Sequence, residues 1–420
     1  MRLRTLLRSS AAAYLTPVLV VFILVGMSDV AHWTTRGYWP SVTGNSTYSL
    51  PFLLTGCAGL AAWEGARLTR GRVFTQPAVR SPLVITGYIL LPVLVAGVIA
   101  MLAALFLSAS GAGAGLGLPD FRMLGVELLL LLANILAGYL VGRRWPAAFS
   151  VPLVLVGAFF VSAYPRSWSI MWIRNLVGSG MAECCSIDQV IDPRTLWSAA
   201  AFATGLVLAC VLVIVFRTSK AAVAGSLALI VAGTVMGAHF ARDLGASPVQ
   251  GRPDEELSCQ ASGRFRVCLW PEVRNQAMIR SEAAGIAGRL SAAGVPMHET
   301  FTMSLRPEAS EAKLGIAPDA RPDEVSAGVV TGVLPSPPAC VAEGRYPGGE
   351  AEAPLAAWLL LTSGSAVETA RAMAGSEAAG MAEKVRQLPQ SVQLDWYKRN
   401  AEAMRSCSMR PQLIPVTGAK

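Results

Sequence analysis

Charge is what this chain has least of. Only 15% of its 420 residues are Asp, Glu, Lys or Arg, against about 25% in an ordinary soluble domain. That shortage, with 53% hydrophobic residues, argues against a purely soluble globular protein. Histidine is nearly absent as well, and His298 is the only one beyond residue 240. It stands in "HETFT", which lacks the second histidine of H-E-x-x-H, so a zinc protease is not supported. There is no G-x-S-x-G elbow and no G-x-x-x-x-G-K-[ST] loop to cradle phosphates, so the chain carries neither that hydrolase signature nor its own ATPase. No pair of cysteines has the C-x-x-C spacing of a zinc site. The net charge of +8 does not signal nucleic acid, because much of it sits in short links between apolar runs.

Those apolar runs are the dominant feature. A helix needs about 20 mostly apolar residues to cross the hydrocarbon core. Seven stretches are expected to do so, at roughly 12–29, 48–66, 84–108, 123–142, 147–164, 196–216 and 221–240. The second, with Glu64 near its end, and the short fifth are the weakest. "MRLRTLLRSS" is a basic start like that of a signal peptide, but no small-x-small cleavage site closes the apolar run behind it. It reads as a retained helix.

Basic residues orient such a chain. With the N-terminus inside, the inner segments hold Arg2, Arg4, Arg8, Arg67, Arg70, Arg72, Arg80, Arg143, Arg144, Arg217 and Lys220. The outer short loops hold only Arg36, Arg122, Arg166, Arg174 and Arg194. The bias favours a cytoplasmic N-terminus. Seven crossings then place residues 241–420 outside the cell. Trp33, Trp39, Trp145, Trp168, Trp172 and Trp197 fall near the expected helix ends, as an interfacial belt requires.

The eight cysteines follow the same division. Cys57 and Cys210 lie within apolar runs, and the other six fall on the outer side, where disulfides persist. "LSCQASGRFRVCLW" reads as a hairpin, with positions 259 and 268 symmetric about 263 and 264. Opposed side chains on adjacent strands are close enough to bridge. Cys259–Cys268 is therefore expected, leaving Cys340–Cys407 to close a long loop. Cys184 and Cys185 are adjacent, and bond to each other, to another chain, or not at all.

Within the bilayer, polar residues are costly and often functional. Glu64 stands three residues before Arg67, so it either forms an i,i+3 ion pair or acts in coupling or gating. Glu127 either reaches the outer interface or has a role inside the bundle. Asn134 shares its helix face and could bond to a neighbouring helix. Gly233 and Gly237 form a G-x-x-x-G pair that permits close packing.

Six helices, a basic N-terminal arm, a basic link after the second helix ("RLTRGRVFTQPAVRSP") and a long outer loop before the sixth resemble the membrane subunit of an ABC-type exporter, the type-2 permease superfamily. "AAWEGARLTRGR" resembles what actinobacterial members carry at the cytoplasmic end of helix two, and the scarcity of Lys (5 against 30 Arg) fits a high-GC bacterial source. The resemblance covers residues 1–216. It implies that residues 67–82, with Glu64, Arg67, Arg70, Arg72 and Arg80, couple to a separate cytoplasmic ATPase. It also implies that 165–195, with Trp168 and Trp172, forms a re-entrant outer gate, and that a second membrane subunit completes the transporter. The chain departs from the family plan by adding a seventh helix at 221–240 and an outer domain. "CLWPE" at 268–272 resembles a segment of poorly characterised domains appended to such proteins.

Residues 245–420 are long enough for one core. "RFRVCLW" and "HETFTMSL" read as strands, "NQAMIRSEAAGIAGRLSAAG" as a helix stopped by Gly294, "PLAAWLLLTSG" as a buried core helix, and 366–408 as mostly helical. The expected architecture is a membrane all-α bundle at 1–240 (a six-helix core at 1–216 plus 221–240) followed by a soluble α+β extracytoplasmic domain at 245–420. The expected function is a permease-like export subunit, needing no cofactor, metal or nucleic acid, with an outer binding domain. The alternative is a non-transporting sensor, immunity or envelope-binding protein. An ectoenzyme would need the fold to gather Glu272, His298 and Glu299.

Overall fold

The computed structural model describes residues 10–71, 81–115, 117–216, 219–343 and 346–414. Arg2, Arg4, Arg8, Arg72, Arg80 and Arg217, and most of the 67–82 link, lie outside the described residues. The chain divides into two compact units, Met1–Gln250 and Gly251–Lys420.

The first unit is helical. Each of the seven apolar stretches forms one long helix: α1 (Ala11–Met27), α3 (Leu50–Arg70), α4 (Pro82–Gly111), α5 (Phe121–Arg144), α6 (Ala147–Ala163), α8 (Pro193–Phe216) and α9 (Lys220–Ala241). Two short helices lie between them, α2 (Trp39–Ser46) and α7 (Met171–Leu176). Short polar side chains start the helices by accepting backbone N–H groups that would otherwise lack partners. Ser10 accepts from Ala12, Ser81 from Val84, Asp120 from Arg122, and Ser219 from Ala222.

Among the described residues, α4, α5, α6 (extended to Ser167), α8 and α9 are long and apolar enough to cross a membrane. Their outward faces suit lipid. Along α9, Val223, Leu227, Val231 and Val235 form an exposed stripe at four-residue spacing. α1 has 17 residues, about 26 Å at 1.5 Å per residue. α3 carries Glu64, Arg67 and Arg70 and buries most of its length, including Leu53, Leu54, Cys57, Ala61, Ala62 and Glu64. The difference from the seven expected crossings thus falls on a short helix and on one whose polarity is hidden by packing.

Two seams hold the bundle. A Cβ on Gly138 would collide with the Ala58 carbonyl oxygen, and one on Gly142 with that of Ala62. The backbones of α3 and α5 therefore touch, in the small-xxx-small manner of membrane helices. In the second seam, Gly233 of α9 meets Gly205 of α8, and Gly237 meets the Ser198 carbonyl. The close packing that the Gly233 and Gly237 pair permits is present.

The second unit is a small α/β region. Strands β3 (Ser258–Ser262) and β4 (Phe265–Leu269) form an antiparallel hairpin, following the two-stranded pair of β1 (Gln189–Ile191) and β2 (Val249–Gly251) in chain order. β4 pairs in parallel with β5 (Thr300–Thr302), and β5 in parallel with β6 (Glu311–Lys313). Helix α10 (Gln276–Ala292) makes the β4-to-β5 crossover that a parallel pair requires. The parallel half is what separates this unit from the expected α+β segregation. Helices α11 (Pro322–Val333), α12 (Glu352–Thr362), α13 (Val367–Ala374), α14 (Ser376–Arg386) and α15 (Gln390–Arg405) complete it. Trp358 of α12 is buried against Tyr397 and Trp396 of α15.

In the β3–β4 register Cys259 stands opposite Cys268, and the two are bridged. Cys340 is bridged to Cys407 across 67 residues. Cys57 and Cys210 are free and buried.

Two outcomes are expected. Gly142→Leu should cost about 3 kcal/mol or more, because backbone cannot yield to the new side chain. Gly157→Leu, where a Cβ meets nothing within 4 Å, should leave the thermal midpoint of the detergent-solubilised protein nearly unchanged. Loop-closure entropy ranks the disulfides. Losing Cys340–Cys407 should cost about 4 kcal/mol and losing Cys259–Cys268 roughly 2–3 kcal/mol, measured by denaturation of the serine variants.

Candidate functional site

One end of the bundle is closed by two segments that pack on each other. One is 30–49, containing α2, and the other is 164–191, containing α7. α2 has no counterpart among the elements expected from sequence. Its residues, WPSVTGNS, are rich in side chains that compete with their own backbone for hydrogen bonds. Here those hydroxyls donate within the segment: Thr43 to the Trp39 carbonyl, Ser46 to Thr43, Thr47 to Gly44 and Ser49 to Ser46. This satisfies the polar side chains while Ser41–Ser46 is buried. Asn45 donates to the Val30 carbonyl and accepts from Ser108 of α4 at 2.9 Å.

The segments interlock. A Cβ on Gly44 would lie 2.6 Å from the Cys184 carbonyl oxygen. Thr35 donates to the Cys185 carbonyl at 3.0 Å, and Tyr38 to that of Gln189 at 2.7 Å. Cys184 and Cys185 are bridged to each other, one of the three states left open by sequence. Glu183 takes Arg174 at 2.7 Å and Arg166 at 3.7 Å, and the Arg166 guanidinium lies 4.1 Å from the centre of the Tyr48 ring. A recess of about 280 Å³ remains between the segments, reached by Trp33, Asn45, Tyr48 and Glu183.

Trp168 and Trp172, expected in an outer gate, lie in the second segment. Trp168 is exposed beside Tyr164, and Trp172 is half-buried. Two aspartates fix where the closing loops enter the bundle. Burial alone would raise the carboxyl of Asp120, but hydrogen bonds from Arg122 and its charge hold it below the usual carboxylate range. Burial also works to raise the Asp192 carboxyl, and hydrogen bonds from Arg194 with its charge hold it low. The Asp120 N–H also donates to Thr43, tying α5 to α2.

At the other end of α3, Glu64 is fully buried. It forms the i,i+3 pair with Arg67 at 3.0 Å. It also accepts from the Ser10 hydroxyl at 3.0 Å and the Ala11 N–H at 3.2 Å. The carboxylate thus sits at the N-terminus of α1, where the helix dipole favours negative charge. Spacing reveals the arginine but not the serine 54 residues away. Arg70 is exposed one turn further on.

Two polar residues of α5 make different contacts. Glu127 is buried, at 1% exposed, and among the described residues neither carboxyl oxygen has a hydrogen-bond partner. Asn134 donates to the Leu130 carbonyl of its own helix at 2.9 Å, not to a neighbour. Asn and its backbone are adjacent whatever packs nearby, so the local bond forms first.

In the second unit, CLWPE is a clamp. Trp270 is buried with its indole N–H donating to the Met303 carbonyl, and Glu272 binds Arg252 through two hydrogen bonds at 2.9 and 3.0 Å. The Arg252 guanidinium lies 4.5 Å from the Trp270 ring centre. Glu272 is thereby engaged in structure, while His298 and Glu299 are exposed. Among the described residues no group of three His, Cys, Asp or Glu side chains could hold a metal ion. A surface groove of about 540 Å³ has Asp323, Glu324 and Glu368 around Ile316 and Met373.

The family model described as a domain of unknown function (DUF7224) matches residues 267–407, within the second unit. No curated protein and no solved structure matches the chain.

An unpartnered buried carboxyl lowers stability by about 1–3 kcal/mol. Glu127→Leu is expected to raise stability by that order in detergent. A loss of the same size would mean that the carboxyl makes a favourable contact.

Proposed function

We propose that this chain is the permease-like subunit of an ABC-type export system, working with a separate cytoplasmic ATPase and a second membrane subunit. The observation that carries the reading is the asymmetry of the bundle. One end is closed by interlocked short segments, and the other presents the basic end of α3 ahead of a basic link. In this reading α1 and α3 cross the membrane together with the five apolar helices, making seven crossings. The N-terminus is cytoplasmic, and the second unit lies outside, where its disulfides are stable.

The division of labour comes from that placement. Glu64 fixes the cytoplasmic ends of α1 and α3 to each other, so a push on the 67–82 segment reaches both helices. The segments 30–49 and 164–191 form the outer gate. The second unit binds substrate, a partner or envelope material. Its acidic, partly apolar groove also supports a second reading, in which the helices only anchor a sensor, immunity or envelope-binding domain.

Purification from native membranes separates the two. The exporter reading expects an ATP-hydrolysing subunit to copurify in stoichiometric amount, and Arg72→Glu with Arg80→Glu to release it. Recovery of the chain without any ATPase contradicts that reading and favours the anchored domain.

A further inference from the structure

A groove of about 900 Å³ opens on the side of the bundle between α1, α3 and α6. Its lining is apolar apart from the Thr55 hydroxyl, and includes Leu15 and Phe22 of α1, Phe52 and Trp63 of α3, and Leu155 of α6. Gly56 and Gly59 form part of its α3 wall. An apolar slot in a membrane protein does not by itself name its occupant. The continuation of the slot along α3 does.

Phe52, Gly56, Gly59 and Trp63 lie on one stripe, at steps of three and four residues. The next two positions of that stripe are Arg67 and Arg70. Trp63 is 44% exposed, Arg70 is exposed, and the Arg67 side chain is 45% exposed although it bridges Glu64. Along the helix, the surface passes from apolar slot to amphipathic indole to guanidinium groups. An acyl chain, a glycerol backbone and a phosphate occur in that order in a phospholipid. Indole rings settle at the headgroup level, and arginine matches phosphate oxygens with a fork of N–H donors. The exposed stripe of α9 also runs from apolar residues to a cation, Lys220, but has no indole between them.

We infer that this groove binds one anionic phospholipid, with an acyl chain between α1, α3 and α6 and its phosphate headgroup at Arg67 and Arg70. The two arginines leave the local charge positive after Glu64 is counted, which favours a net-anionic headgroup over a zwitterionic one. The site goes beyond the proposed transport role and does not depend on an ATPase.

The test uses the full-length chain, delipidated in detergent and titrated with phosphatidylglycerol or phosphatidylcholine in mixed micelles. Bound lipid is counted by native mass spectrometry. The expected result is one retained phosphatidylglycerol per chain and weaker retention of phosphatidylcholine. Each arginine near a membrane surface contributes about 1 kcal/mol toward anionic lipid, or about fivefold. Arg70→Gln, at an exposed position, should therefore weaken phosphatidylglycerol retention about fivefold and leave phosphatidylcholine unchanged. Val156→Trp, filling the groove from an exposed position on α6, should abolish retention without lowering the thermal midpoint. Equal retention of both lipids, or no effect of Arg70→Gln, overturns the inference. Conversion of a dimer to a monomer by Val156→Trp, with lipid retention unchanged, would show that the groove instead receives a second copy of the chain.

Discussion

The contact on which the bundle depends is backbone against backbone, between α3 and α5. Gly138 and Gly142 bring α5 within reach of the Ala58 and Ala62 carbonyls, and α3 is buried as a result. That burial is what makes α3 tolerable in a membrane setting. It carries a buried glutamate and two arginines in its last two turns, a composition that would be costly facing lipid. Packing hides Leu53 to Ala62 against neighbours and leaves the charges at one end, where Glu64 meets Arg67, Ser10 and the start of α1. A side chain at either glycine would separate the helices and expose the polar end together with the apolar middle.

The two ends of the first unit are then built by different means. The end closed by segments 30–49 and 164–191 uses Ser and Thr side chains that satisfy themselves locally and so can be buried, with Asn45 reaching Val30 and Ser108. The other end uses a single carboxylate that joins two helices. The second unit relies on covalent links and aromatic packing: two disulfides, the Trp270–Arg252–Glu272 clamp and the Trp358–Tyr397 stack. Cross-links of this kind suit a domain held outside the reducing cytoplasm, in keeping with the orientation proposed from the arginine distribution.

Helix positions are legible in the sequence because an apolar run of membrane length leaves few alternatives. The Cys259–Cys268 bridge is legible because a hairpin turn fixes its own register. Other features depend on neighbours that sequence does not name. In a chain with 39 glycines, the Gly138–Gly142 spacing stands out no more than many others, and only the facing carbonyls single it out. The segment WPSVTGNS has weak helix formers and becomes α2 through burial against α4 and residues 179–185. Asn134 falls on the expected helix, but its partner is the backbone beneath it. Glu127 lies close enough to the helix start to look interfacial, yet its side chain is buried, which position in the sequence does not show. The mixed sheet is hidden from a sequence reading because β5 and β6 are three residues each, too short to show a pattern.

The central claim is that an odd number of crossings, counting the short α1 and the polar α3, carries the second unit to the outer side. Labelling with a membrane-impermeant maleimide tests it directly, since the native cysteines are either bridged or buried. A cysteine at exposed Ser391 is expected to label in intact cells, and one at exposed Arg144 only after the membrane is opened. Labelling of the Ser391 site only after opening would contradict the account.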